Sequence, residues 1–179
     1  MSWLARPKTS LDDVGDGADV RLVATIVTAD ALEGALAPIH AAAFRWTLFA
    51  MTRFEPFASG WRGGPLVVRA SCGRGIEVPL DHARLAAPFD PRDGVPVGEF
   101  PRATHVYRAA LDRTVGHWSE IFVREHALQS GHPITLVGRV TPARRAGGYR
   151  DAPGAVDFAF RAEGDITIED HTVDGAAPQ

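Results

Sequence analysis

The first regular pattern along the chain is DVRLVATIVT, beginning at Asp19. Val20, Leu22, Ala24 and Ile26 fall on one side of an extended backbone, and Arg21, Val23 and Thr25 on the other. A period of two with β-branched residues predicts a strand over 19–28. The same period predicts a long strand over 43–54. There Phe44, Trp46, Leu48, Ala50 and Thr52 alternate with Arg45, Thr47, Phe49, Met51 and Arg53. Pro38 should break any helix just before it, although the alanines at 41–43 leave a helical start open.

Residues 55–64 hold Pro56, Gly60, Gly63 and Gly64 and read as a loop. PLVVRA, a turn at 71–75 and IEVPL then read as a hairpin, with Pro79 marking an edge or an end of the return strand. The proline-rich stretch 86–102 reads as a connection. Over 103–115, Val106, Tyr107, Ala110, Leu111 and Thr114 recur at spacings of three and four, which predicts a short amphipathic helix. Residues 118–128 fit either strand or helix. Gly131 opens a turn into a strand on which Ile134, Leu136 and Gly138 alternate with Thr135, Val137 and Arg139. A loop over 141–153, tipped by Gly147 and Gly148, precedes two short alternating segments at 155–161 and 166–168. From Glu169 the chain is polar and reads as frayed.

Five to seven short strands with a helix between them predict a mainly β fold: a small β-barrel of OB type with one or two short helices. It should form a single domain over 18–170. A loose arm at 1–17 precedes it, and a tail at 171–179 follows.

Four stretches carry a resemblance. They are DVRLVATIV, the Leu36-Ala37-Pro38 step before the long aromatic strand, the hairpin PLVVRASCGRGIEVPLDHARL, and IFVREHALQSGHPITLVGRV. Their order over roughly 18–170 resembles the GIDE-type (beside-a-membrane) domain of organellar membrane ubiquitin ligases and many bacterial proteins. The last stretch is the most specific, with Arg-Glu closing a strand, a Gly-x-Pro turn and a strand ending Val-Gly-x-Val. In it, Gly131 allows a tight turn, and Gly138 allows a kink or close backbone approach. The resemblance implies a non-catalytic β domain that binds a partner or supports an assembly. It does not extend to ligase activity. The transmembrane helices and RING of those ligases have no counterpart here, and Ala43 stands near the family's cysteine position.

Composition narrows the function further. The 179 residues are 45% hydrophobic and 23% charged, close to a globular average. Lys8 is the sole lysine among otherwise arginine cations, a mark of genome composition. A net charge of −3 gives no global attraction to nucleic acid or anionic membrane. Cys72 is the single cysteine, so an internal disulfide, a CxxC pair and a RING are all excluded. No secretory pattern opens the chain. The most apolar stretch, 35–51, is interrupted by Pro38, His40 and Arg45. The expectation is a cytoplasmic protein without direct membrane insertion.

Candidate chemistry is sparse. The histidines at 40, 82, 105, 117, 126, 132 and 171 show neither HxH nor HExxH spacing, so no metal site is expected. Cys72 has Arg74 nearby but no evident base. No serine sits in G-x-S-x-G, and GWRGG at 60–64 lacks the Walker lysine and the GxGxxG spacing. The acids at 12–13 and 169–170 read as solvated ends. We therefore expect no catalytic residue, no cofactor and no enzyme.

What remains is a surface. Trp46, Phe49, Phe54, Phe57 and Trp61 surround Arg45, Arg53 and Arg62, and a second cluster holds Arg144, Arg145 and Tyr149. Alternating aromatics in a strand also fill cores. The candidate partner-binding residues are Trp61, Arg62, Arg144, Arg145 and Tyr149. They suit an adaptor or assembly component that binds a protein or a second copy of itself. The alternative is an OB-like binder of single-stranded nucleic acid, with aromatics stacking bases and arginines holding phosphates.

Overall fold

The computed structural model describes residues 9–11, 14–28, 31–50, 56–87, 91–113, 120–143, 156–162 and 165–170. In chain order the strands are β1 (Ala18–Ile26), β2 (Leu32–Glu33), β3 (His40–Ala41), β4 (Ala43–Ala50), β5 (Pro56–Arg62), β6 (Leu66–Ala70) and β7 (Gly75–Val78). They continue as β8 (Ala83–Leu85), β9 (Val95–Pro96), β10 (Ile121–Leu128), β11 (Pro133–Pro142), β12 (Phe158–Phe160) and β13 (Ile166–Asp170). Helices α1 (Pro101–Val106) and α2 (Arg108–Leu111) lie between β9 and β10. The fold is mainly β with two short helices, as the alternating patterns predict.

The chain forms two compact units, each assembled from separated segments. The first holds 1–30, 64–87 and 129–179, and the second holds 31–63 and 88–128.

The first unit is a closed barrel of five strands. The hydrogen-bonded order runs β1-β6-β7-β12-β11 and returns to β1 through the β1–β11 ladder. All of these pairings are antiparallel except β7–β12. Alternation explains the closure. Val20, Leu22, Ala24 and Ile26 are buried while Asp19, Arg21 and Val23 face out. Leu22 pairs with Leu136, Ala24 with Ile134, Ile26 with Val68, and Val68 with Ile76, so apolar side chains meet on one face around the ring. Each buried Leu, Ile or Val contributes about 1.5–3 kcal/mol. At the inward position Gly138, an added Cβ would lie 3.0 Å from the Phe160 ring, which fills that space. Strand β11 is long enough to hold two neighbours on its other edge: β12 at 140–142 and β13 at 134–137, with β8 beyond β13. Strand β13 runs through Glu169 to Asp170. Glu169 pairs there with Arg21, so the polar end expected to fray is a strand instead.

The second unit is a four-stranded sheet in the order β5-β4-β10-β9. Its central β4–β10 ladder runs in register from Ala43–Leu128 to Ala50–Ile121, which settles 121–128 as strand. On one face Leu48, Ile121 and Val123 pack with Ala35, Val97, Ala103, Tyr107 and Leu111. On the other, Phe49 and Phe122 rings lie 5.9 Å apart, and a Cβ on Gly94 would meet Phe49 at 2.2 Å. The expected helix over 103–115 is two helices, broken at Tyr107, with residues 114–115 outside the described residues. Its apolar stripe holds, since Tyr107 and Leu111 are buried and Val106 and Ala110 half-buried.

The stretch 55–64, read as a loop, contains strand β5. Pairing with β4 overrides the glycine and proline signals. Pro56 sits at the start of an edge strand, where its missing N–H costs little. Gly60 is required by packing, because a Cβ there would lie 2.7 Å from the Trp46 ring.

Candidate binding site

The site is built on the helix-covered face of the second unit. Strand β4 runs down its middle, with Trp46 opposite Glu125 on β10 and Phe44 opposite Arg62 on β5. Glu125 and Arg62 therefore reach toward each other across β4, on the same face. Arg62 Nη1 donates to Glu125 Oε1 at 3.0 Å, and the Glu125 side chain is only 4% exposed.

A buried carboxylate is stable only when its oxygens are satisfied. Here four donors do so. The Tyr107 hydroxyl also donates to Oε1. The Ala35 and Leu36 amides donate to Oε2 at 2.9 and 3.0 Å. A tight bend between β2 and β3 aims those two amides. Gly34 N donates to Ile39 O, and a Cβ on Gly34 would fall 2.6 Å from the Ala37 carbonyl. Arg62 Nη2 donates to the Glu33 carbonyl at 3.1 Å, and its guanidinium lies over the Phe44 ring. The Glu33 carboxylate pairs with Arg102 at 2.5 Å, which holds it below the usual carboxylate range. Burial, and then the bond to Glu125, push the Tyr107 phenol far above its ordinary value, so it stays protonated. This cluster serves architecture: every Glu125 oxygen is already engaged.

Above the cluster lies an open groove of about 710 Å³. Trp46 forms its floor, tilted against Tyr107 at 5.2 Å between ring centroids. One wall is β5, through Phe57, Ala58, Ser59, Trp61 and Arg62; the other is Val106, Ala109, Ala110 and Arg113. Phe57 stands at a register shift in the β4–β5 ladder and is 45% exposed, the largest exposed aromatic among the described residues. Behind Trp61, Arg45 lies 5.5 Å from the ring centroid and donates to Ser59 Oγ at 2.8 Å. Partial burial lowers the Arg45 pKa below the ordinary guanidinium value.

Of the residues singled out from sequence, Trp61 is a half-buried groove wall. Arg62 also lines the groove, but its guanidinium is committed to Glu125 and Glu33. Trp46 and Phe57 belong to the groove, whereas Phe49 is fully buried on the opposite face. Arg53, Phe54, Arg144, Arg145 and Tyr149 lie outside the described residues. Pattern reading missed Glu125, Tyr107 and Arg113. Tyr107 is visible only as part of a helical stripe, and Glu125 only in the Arg-Glu that closes a strand of the most specific stretch. Neither signal shows that the two meet.

Cys72 is exposed in the β6–β7 turn, and Arg74 is bound to Asp157 at 3.4 Å. Among the described residues no three His, Cys, Asp or Glu side chains gather as metal ligands, and no helix is long and apolar enough to cross a membrane. The chain matches no protein-family model, no curated protein and no solved structure.

Proposed function

We propose that this chain is a non-catalytic interaction module that binds a protein partner through the β5–α2 groove and so acts as an adaptor or assembly component. The carrying observation is the groove itself: half-exposed aromatic rings and small apolar side chains, set on a scaffold that a buried ion pair holds rigid. Concave apolar pockets with a few placed polar groups are where proteins bind ligands, and Trp, Phe and Arg are frequent interface anchors. The resemblance to GIDE-type domains points the same way.

A photo-crosslinking amino acid placed at Phe57 or Ala109 in the full chain tests this. Both groove positions should give the same discrete protein adduct in the native cell, and Val23 on the outer face of β1 should not. Equal labelling from Val23, or no adduct from the groove, would overturn the reading.

The second reading rests on the barrel. A closed five-strand barrel with one parallel pairing supports an OB-like reading, and OB folds are common carriers of single-stranded nucleic acid. Two features weigh against it. Outward positions of the described barrel strands carry no aromatic side chain on which bases could stack. Several arginines among the described residues of this unit are paired with acids, as in Arg21–Glu169, Arg139–Asp19, Arg161–Asp16 and Arg84–Asp165. Binding of labelled short oligonucleotides at low salt, weakened by Arg144→Ala and Arg145→Ala, would restore this reading.

A further inference from the structure

Strand β5 ends its sheet. Among the described residues no strand pairs with its outer edge. An edge of this kind leaves alternate backbone N–H and C=O groups pointing away from the sheet, a template for one more strand.

The groove follows that edge. Ala58 and Arg62 point to one face of the sheet, and Ser59 and Trp61 to the other, yet all four line the groove. A cavity on one face of a strand would touch alternate residues only. A cavity touching both sets wraps the edge itself. The register shift at Phe57 ends regular pairing there, so the usable edge runs from Ala58 to Arg62.

Charge selects the occupant. Among the described residues the lining includes Arg62 and Arg113 and no carboxylate. Glu125 offsets Arg62. Arg113 is exposed, and Arg45 stands behind Trp61; among the described residues neither has an acidic partner. Two guanidinium groups with no acidic partner among the described residues thus flank an apolar slot beside a strand edge, in a protein whose net charge is −3.

We propose that the groove receives an extended, acidic segment of a protein partner, added as a strand along Ala58–Arg62. An apolar side chain of the segment would lie against Phe57, Val106 and Ala110, with a carboxylate on Arg113. This rests on the groove being the partner site and adds how the partner binds and its charge.

The test is selection of a phage-displayed random heptapeptide library on the immobilised full chain, followed by synthetic peptides of the resulting consensus. The expected consensus joins an apolar residue to Asp or Glu. Its affinity should fall about tenfold with Arg113→Glu, an exposed change that spares the fold. N-methylation of alternate peptide amides should abolish binding in one phase and spare it in the other, the signature of strand addition. A basic or uncharged consensus, indifference to Arg113→Glu, or tolerance of both methylation phases would overturn the acidic-strand proposal and leave the groove reading intact. Absence of any enriched peptide, or enriched peptides unaffected by the exposed groove-filling change Ala109→Trp, would overturn both.

Discussion

At the scale of single residues, Glu125 is the side chain on which the site depends most. It joins β10 to β5, to the 35–36 bend and to Tyr107. Breaking a buried ion pair by removing one partner costs about 3–5 kcal/mol, because the remaining charge stays buried without compensation. Glu125→Gln should therefore lower stability by roughly 3 kcal/mol or more in urea titrations. Glu169→Gln breaks the exposed pair with Arg21 and should cost at most about 1 kcal/mol. Tyr107 makes the alkaline limit predictable. Its pKa is raised in the folded state, so the stabilisation is complete below the phenol value of an unfolded chain, about 10, and is lost as pH rises above it. Urea midpoints should fall steeply above that pH. Tyr107→Phe should lower the plateau at neutral pH and flatten the alkaline fall; an unchanged alkaline slope would contradict the burial of that hydroxyl.

At the scale of elements, β5 shows how local signals and tertiary pairing can disagree. Its sequence PFASGWR carries a proline and a glycine, both depleted in strands. Both have positional reasons visible only once the strand is placed: Pro56 at an edge, and Gly60 beneath the Trp46 indole. Gly60→Ala should cost about 1–3 kcal/mol by overpacking and should shift the emission of the groove tryptophans. A neutral effect on melting would mean that the indole does not lie against the strand. The helix region shows the converse. A stripe at spacings of three and four is enough to mark which residues face the core, yet Tyr107 breaks the helix where its hydroxyl reaches Glu125. Periodicity reports a face; it carries no information on a break within the stripe.

At the scale of the whole molecule, the decisive feature is that one sheet closes on itself. A closed ladder has no free edge, so loss of one interior side chain is felt around the ring. Leu136 is fully buried, and Leu136→Ala should cost about 2–5 kcal/mol. Hydrogen exchange followed by mass spectrometry should show protection falling together in β1, β6, β7, β11 and β12. Loss confined to β11 would contradict closure. The same measurement on Glu125→Gln should instead show protection falling in β4, β5 and β10.

The sequence alone determined what depends on local alternation and on short turns. The strands at β1, β4, β6, β7 and β11 were legible because a half-buried strand must alternate. Gly131 was legible because a tight turn needs a positive φ, and it has one of 86°. The aromatic and arginine character around 44–62 was legible too, and it led to Trp61. Tertiary structure alone decided that β5 is a strand, that β11 returns to β1 to close a barrel, and that Glu125, Arg62 and Tyr107 form one buried cluster beneath a groove. The physical reason is common to all three. Each depends on pairing with another segment: β5 with β4, Ala18 with Val140 at the barrel closure, and Glu125 with Arg62, 63 positions away. A single sequence shows which face of each segment is apolar, but it does not show which segment that face will meet.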